Sequence, residues 1–81
     1  MIAFMVMCRK ADGGWEGMGE REFAAVPQVG HFVTADDGDG VGQAYEVVAV
    51  IHPLNPATSA GDMILKYVST DIELRQRLGR L

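Results

Sequence analysis

The 81-residue sequence has a single cysteine, few basic residues and no long apolar run. Cys8 cannot form an intramolecular disulfide, and it has no paired spacing with His31 or His52 of the kind that zinc sites use. We therefore expect no metal and no cofactor. No apolar stretch approaches the roughly 20 residues of a membrane-spanning helix, and the apolar N-terminal segment lacks the basic residues that begin a signal peptide. We expect a protein of the reducing cytoplasm with no membrane partner.

The shortage of basic residues bears on nucleic-acid binding. Residues 1–70 contain four basic and nine acidic residues, and the whole chain carries a formal net charge of −4. A surface of this sign repels the phosphate backbone, which supplies most of the affinity in nucleic-acid complexes. We expect no nucleic-acid partner.

The small size of the chain limits its stability. A domain of this length buries only about 60% of its unfolded surface, so apolar burial and chain entropy nearly cancel. Disulfides and structural metals commonly stabilise such domains, but the residues for them are missing. The remaining way to stabilise the domain is to bury one of its faces against a second copy, so we expect a homo-oligomer.

Short apolar segments separated by turn residues predict a mainly β protein. The predicted strands are residues 2–8, 21–26, 31–35, 43–52 and 63–69, and residues 15–20 are predicted as a loop or an irregular hairpin return. No long helical crossover is available to join parallel strands. We expect a small five-stranded SH3-like barrel or a strongly bent antiparallel sheet, with a short C-terminal helix.

The C-terminal segment has a helical pattern. Thr70 and Glu73 have the spacing of a capping box, and Leu74, Leu78 and Leu81 recur at helical intervals. A helix this short persists only if its leucines dock on something. We expect a barrel domain over residues 1–70 and an amphipathic helix over 71–81 that packs on the barrel or on a partner.

Several strands are apolar on both sides. The first predicted strand has Phe4 and Val6 on one side and Met5 and Met7 on the other, and the alternation in the fourth places Val48 and Val50 together. A barrel hides only its inward side, so something must cover this second set. Three alternatives could cover these side chains: the helix of the same chain, the helix of a neighbouring chain, or pairing of the first strands of two chains across a two-fold axis.

Residues 23–52 also resemble a known group of proteins. The pattern F-x-x-V-P-x-V-G-x-x-V, an Asp/Gly turn and Y-E-V-x-x-V-x-H are similar to the core of small SH3-like β-barrel proteins of bacteria and phages. The informative residues are Pro27, Val29, Gly30, Val33, Tyr45, Val47, Val50 and His52. The resemblance implies a fold and no reaction, because SH3-like barrels serve many unrelated functions.

Few residues are candidates for chemistry. Cys8 with His31 or His52 is the one nucleophile and base set in the sequence, but a thiol in an apolar strand behaves as a small hydrophobic group. The acidic run from Asp36 lacks the glutamate of a calcium loop, since its twelfth residue is Val47. We expect a solvated hairpin tip there and no catalytic residues.

These observations favour a non-enzymatic protein-interaction or accessory module that forms a homodimer. Trp15 is expected as a lid over the core, with an exposed contact as the alternative. The residues expected to carry interactions are Met5, Met7, Trp15, Val48, Val50, Leu74 and Leu78. Two further hypotheses are a phage or mobile-element inhibitor, whose acidic surface occupies a basic nucleic-acid-binding site on a host protein, and a small hydrolase or ligand-binding enzyme.

Overall fold

A computed structural model describes residues 2–36, 40–54 and 61–79. Within these residues the elements are β1 (Ile2–Arg9), β2 (Trp15–Phe23), β3 (Phe32–Asp36), β4 (Gly42–Ile51), β5 (Gly61–Thr70) and α1 (Asp71–Arg77). The strands form one sheet in the order β2, β1, β5, β4, β3, and this sheet curls into a half-barrel. The predicted fold class, mainly β with a short C-terminal helix, is confirmed.

The sheet is mixed rather than wholly antiparallel. β1 pairs antiparallel with β2, and β3, β4 and β5 form an antiparallel meander, but β1 and β5 are parallel. The expectation of antiparallel pairing throughout was wrong for this one pair. Three strands separate β1 from β5 in sequence, so the chain returns to a parallel position without a helical crossover.

The second strand differs most from its prediction. β2 begins at Trp15 and ends at Phe23, so the strand predicted over 21–26 was misplaced. Of the two predictions for residues 15–20, the loop was wrong, and the irregular hairpin return agrees with a bulged strand that pairs antiparallel with β1. The register against β1 shifts between Val6, which pairs with Gly19, and Met7, which pairs with Gly17. A bulge of this kind inserts one extra residue and breaks the alternation from which a strand is recognised.

The core lies on the inner face of the curled sheet. Its fully buried cluster consists of Phe4, Val6, Cys8, Val47, Met63 and Leu65. Partly buried side chains surround the cluster, and they are Met18, Phe23, Val26, Val33, Tyr45, Val50 and Tyr67. The sheet therefore buries one of its two apolar faces by curling around it.

A second bulge changes which face Val50 occupies. The register between β4 and β5 shifts between Val47 and Ala49, which leaves Val48 as the extra residue. Val47 and Val50 consequently both pack with the core. The prediction that Val50 shares the outer face with Val48 was wrong, because simple alternation does not survive a bulge.

The helix begins as predicted. The Glu73 amide donates to the Thr70 hydroxyl at 3.2 Å, and an ion pair one helical turn apart joins Arg75 Nε to Asp71 Oδ1 at 2.7 Å. α1 ends at Arg77, followed by a left-handed glycine, Gly79, with φ of 72°. The predicted contact of Leu81, the acidic tip at 37–39 and residues 55–60, between the predicted strands 43–52 and 63–69, lie outside the described residues.

One leucine of the helix stripe docks on the sheet of its own chain. Leu74 is 6% exposed, and α1 packs against β4 and β5. Leu78, the C-cap residue, stays exposed. The helix therefore packs on its own sheet through Leu74. This is one of the two predicted alternatives, the other being packing on a partner.

Gly61 opens β5 at a point where the backbone and a core ring approach closely. A Cβ atom at this position would lie 2.6 Å from both the Ile51 carbonyl oxygen and the Phe4 ring. Carbon atoms do not approach so closely, so a larger residue must push the β4 backbone or the core ring aside.

We predict that Gly61→Ala lowers the free energy of unfolding by about 1–3 kcal/mol, because it overpacks the core against a fixed backbone. Urea denaturation followed by circular dichroism measures the change. The control is Gly17→Ala, where the nearest atom to the new Cβ would be Met7 Sδ at an ordinary 3.8 Å. Equal stability of both variants would contradict the close approach at Gly61.

Candidate interaction face

The side of the sheet opposite the core carries an ordered set of exposed side chains, which we call the outer face. Three rows cross it, because directly opposed residues in paired strands point to the same side. The first row is Glu20, Met5, Asp62 and Ile51; the second is Gly17, Met7, Ile64 and Ala49; the third is Trp15, Arg9, Lys66 and Glu46. The bulged Val48 lies between the second and third rows.

The centre of the outer face is apolar and open to solvent. In the single chain Met5 is 44% exposed, Met7 37% and Val48 39%. The expected cover of this second apolar set is therefore not supplied by the described residues of the single chain. The set predicted from alternation is found except for Val50. Covering such side chains is worth up to about 1.5–3 kcal/mol for each one fully buried.

Trp15 stands at one corner of the outer face and does not cover the core. Its side chain is 54% exposed, and the Arg9 guanidinium carbon lies 5.6 Å from the centroid of its ring. The expected lid was therefore wrong, and the alternative of an exposed contact fits the position. Tyr45 and Tyr67 pack edge to face at 5.8 Å between ring centroids and belong to the inner face.

A shallow groove crosses the third row. It has a volume of about 470 Å³ and is lined by Arg9, Trp15, Val48, Ile64 and Lys66. Tryptophan and arginine side chains are enriched in the residues that dominate protein interfaces. Sequence reasoning missed Arg9 and Lys66, although both continue the outer-face alternation of their strands by one position.

The charges of the outer face are separated along the strand direction. The third row contains Arg9 and Lys66 together with the acidic Glu46, whereas both charged residues of the first row, Glu20 and Asp62, are acidic. The apolar second row, with Met7 and Ile64 at its centre, separates the two. The face therefore has a net positive end and a negative end, which gives it a direction that a partner can recognise.

The helix of the same chain leaves this face open. α1 follows directly from β5 and lies beside the start of β4, where Asp71 is close to Gly42. It buries Leu74 there, while Met5, Met7 and Val48 stay exposed. Leu74 is therefore buried within the single chain. Of the two helix residues predicted to carry interactions, Leu78 alone stays accessible to a partner.

The three residues considered for catalysis each have a structural role. The Gln28 amide donates to His31 Nδ1 at 3.1 Å, which closes the loop before β3. The His52 ring packs edge to face on Phe4, with 6.0 Å between centroids. Cys8 is buried in the core, and burial, with a smaller contribution from Glu16, raises the pKa of its thiol. A raised pKa disfavours the reactive thiolate.

The described residues also bear on two other classes of site, metal centres and membrane spans. No three or more His, Cys, Asp or Glu side chains in the described part of the chain are grouped so that they could hold a metal ion. No helix within residues 2–36, 40–54 and 61–79 is long and apolar enough to cross a membrane.

Comparison of the chain with family models, with curated proteins and with solved structures finds no match. The SH3-like assignment therefore stays an expectation from the sequence pattern. Function has to be argued from the surface of this chain alone.

We predict that Cys8 resists alkylation in the folded protein. Iodoacetamide at mildly alkaline pH should react at least about tenfold more slowly with the native chain than with the chain in urea, because the thiol is buried and its pKa is raised. Mass spectrometry of the adduct measures the rate. Equal alkylation rates in the two states would contradict the burial.

The raised pKa also affects stability. Since the folded state holds the thiol proton more tightly, this residue's contribution to the free energy of unfolding should fall as pH rises above the ordinary thiol pKa.

Proposed function

We propose that this protein is a non-enzymatic interaction module whose outer face binds the outer face of a second copy. The observation that carries the proposal is the open apolar centre of that face, with Met5, Met7 and Val48 each more than one-third exposed. Isolated exposed hydrophobic residues are common in monomers, but a contiguous apolar patch with a charged rim is typical of an interface.

The charge pattern favours a second copy over an unrelated partner. Arg9 and Lys66 at one end of the face complement Glu20 and Asp62 at the other. A surface that carries both members of a complementary set can pair with itself across a two-fold axis. The same pattern disfavours the alternative of a nucleic-acid mimic at this face, because such a mimic would present one sign of charge.

The charges also select one of two possible arrangements. A two-fold axis parallel to the strands places each row over the same row of the second copy, so the first row, with Glu20 and Asp62, would meet no basic residue. An axis perpendicular to the strands, through Met7 and Ile64, instead places Lys66 over Asp62 of the second copy. Opposed charges attract and like charges repel, so we infer the perpendicular axis. Stacked sheets lie about 10 Å apart, which lets the central side chains interdigitate.

We predict that Val48→Asp converts the dimer into a monomer, because dimerisation would bury a carboxylate in the apolar centre. Light scattering coupled to size-exclusion chromatography at micromolar concentration gives the mass. The matched control is Val29→Asp, which makes the same change at an exposed valine in the loop before β3. A wild-type protein with the mass of one chain would contradict the proposal, and so would equal effects of the two variants.

The axis has its own test. Lys66→Asp should weaken dimerisation about tenfold, since it opposes two carboxylates across the interface. Combining it with Asp62→Lys should restore the affinity, because the exchange of both charges recreates the pair. Sedimentation equilibrium measures the dissociation constants at low salt, where these charges are least screened. A double variant that is as weak as Lys66→Asp alone would contradict the perpendicular axis while leaving dimerisation itself intact.

A further inference from the structure

The curl of the sheet leaves a cleft between its two end strands, on the opposite side of the sheet from the outer face. β2 and β3 are the ends of the strand order, and in the described residues each pairs with one strand only. The cleft between them has a volume of about 380 Å³. Residues of β2 and β3 form its walls, and Val6, Tyr45 and Leu65 line it from the central strands.

The side chains that point into the cleft are apolar, with one exception. Met18 and Phe23 face inward from β2, and Val33 packs against the core from β3. Arg21 is the exception: it pairs with the core residue Phe4 and therefore points to the inner side, and it also lines the cleft. Its Nε donates to the Met18 carbonyl at 3.0 Å, and it makes no ion pair with any described residue.

Two carboxylates, Glu22 and Asp36, also line the cleft, and both have the outward parity of their strands. In β3, Val33 packs against the core and Asp36 is three positions further on, at an exposed position. Glu22 pairs with Ala3, which lies between the inward-facing Ile2 and Phe4 positions of β1, so its side chain has the outward parity. Arg21 is therefore the charged group that the cleft offers to a ligand from the inner side. An occupant that is apolar along its length and carries one carboxylate beside Arg21 matches this lining.

The outer edges of β2 and β3, which pair with no further strand in the described residues, indicate the chemical class of the occupant. A strand edge presents main-chain N–H and C=O groups that bind another extended chain, a mode of peptide recognition known as strand addition. A small apolar acid could fill the cleft and reach Arg21, but it would leave both edges unpaired. The lining and the edges together favour an extended peptide.

We propose that the cleft binds an extended peptide segment of a partner protein as a sixth strand between β2 and β3, with apolar side chains inward and one inward carboxylate on Arg21. Inward residues of such a strand alternate with outward ones. Basic residues suit the outward positions, because Glu22 stands on the outward side of β2. This site goes beyond the self-association proposed for the outer face and does not depend on it.

The probe that tests the proposal is a capped peptide, Lys-Val-Thr-Ile-Lys-Glu-Thr, in which Val, Ile and Glu share one side. Titration followed by amide NMR should give saturable shifts in β2 and β3, with slower hydrogen exchange along both edges. Two control peptides separate the contributions. Exchange of Glu for Gln removes the carboxylate, and exchange of the Thr at the third position for Pro removes a main-chain donor.

The protein variants complete a double-mutant cycle. The wild type should prefer the Glu peptide to the Gln peptide by about tenfold, as expected for a charge-assisted hydrogen bond. Arg21→Gln should abolish that preference, whereas Arg77→Gln, on the helix, should keep it. Val48→Asp should bind as the wild type does even where it is monomeric, so failure of the cleft and failure of the dimer are separate results.

Three results would overturn the proposal. The first is the absence of saturable binding by the Glu peptide. The second is equal binding of the Pro peptide, which would show that the strand edges take no part. The third is binding of dodecanoate at the same residues without binding of the peptide, which would assign the cleft to small apolar acids.

Discussion

A sheet one layer thick has two faces, and curling can bury only one of them. In this chain the inner face closes around Phe4, Val47, Met63 and Leu65, while the outer face keeps Met5 and Met7 open. A domain of 81 residues has little apolar burial to spare, so an uncovered face of this kind matters to its stability. The helix covers one end of β4 and β5 and no more. The proposed self-association starts from this constraint, since it would cover the outer face with a second copy.

Much of the fold could be predicted because the relevant signals are local. The seven apolar residues that begin at Ile2 indicate a strand, and Thr70 with Glu73 marks the start of a helix. The errors arose where geometry is not local. Glycines and a bulge interrupt the alternation of β2, so the strand could not be recognised from its pattern. The bulge at Val48 places Val50 on the core side of β4. The parallel pairing of β1 with β5 could not be predicted from either segment, since strand order depends on how the whole sheet closes.

The candidate site was only partly accessible to sequence reasoning. Alternation placed Met5, Met7 and Val48 on an outer face, but it gave Trp15 no position and left Arg9 and Lys66 unnoticed. Those three residues come together because the β1–β2 and β1–β5 registers align them in one row. The outer face and the cleft also lie on opposite sides of one sheet. The proposed self-association through the outer face would therefore leave the cleft open, and the proposed dimer would present two clefts to partner peptides.

The most direct measurement of the central claim detects contacts between two copies at the centre of the outer face. A sample that mixes isotope-labelled and unlabelled chains allows intermolecular nuclear Overhauser effects to be separated from those within a chain. The account predicts such effects between the Met7 methyl of one copy and the Met7 and Ile64 methyls of the other. Their absence at concentrations where the Met5 and Met7 methyls stay accessible to a soluble paramagnetic probe would contradict it.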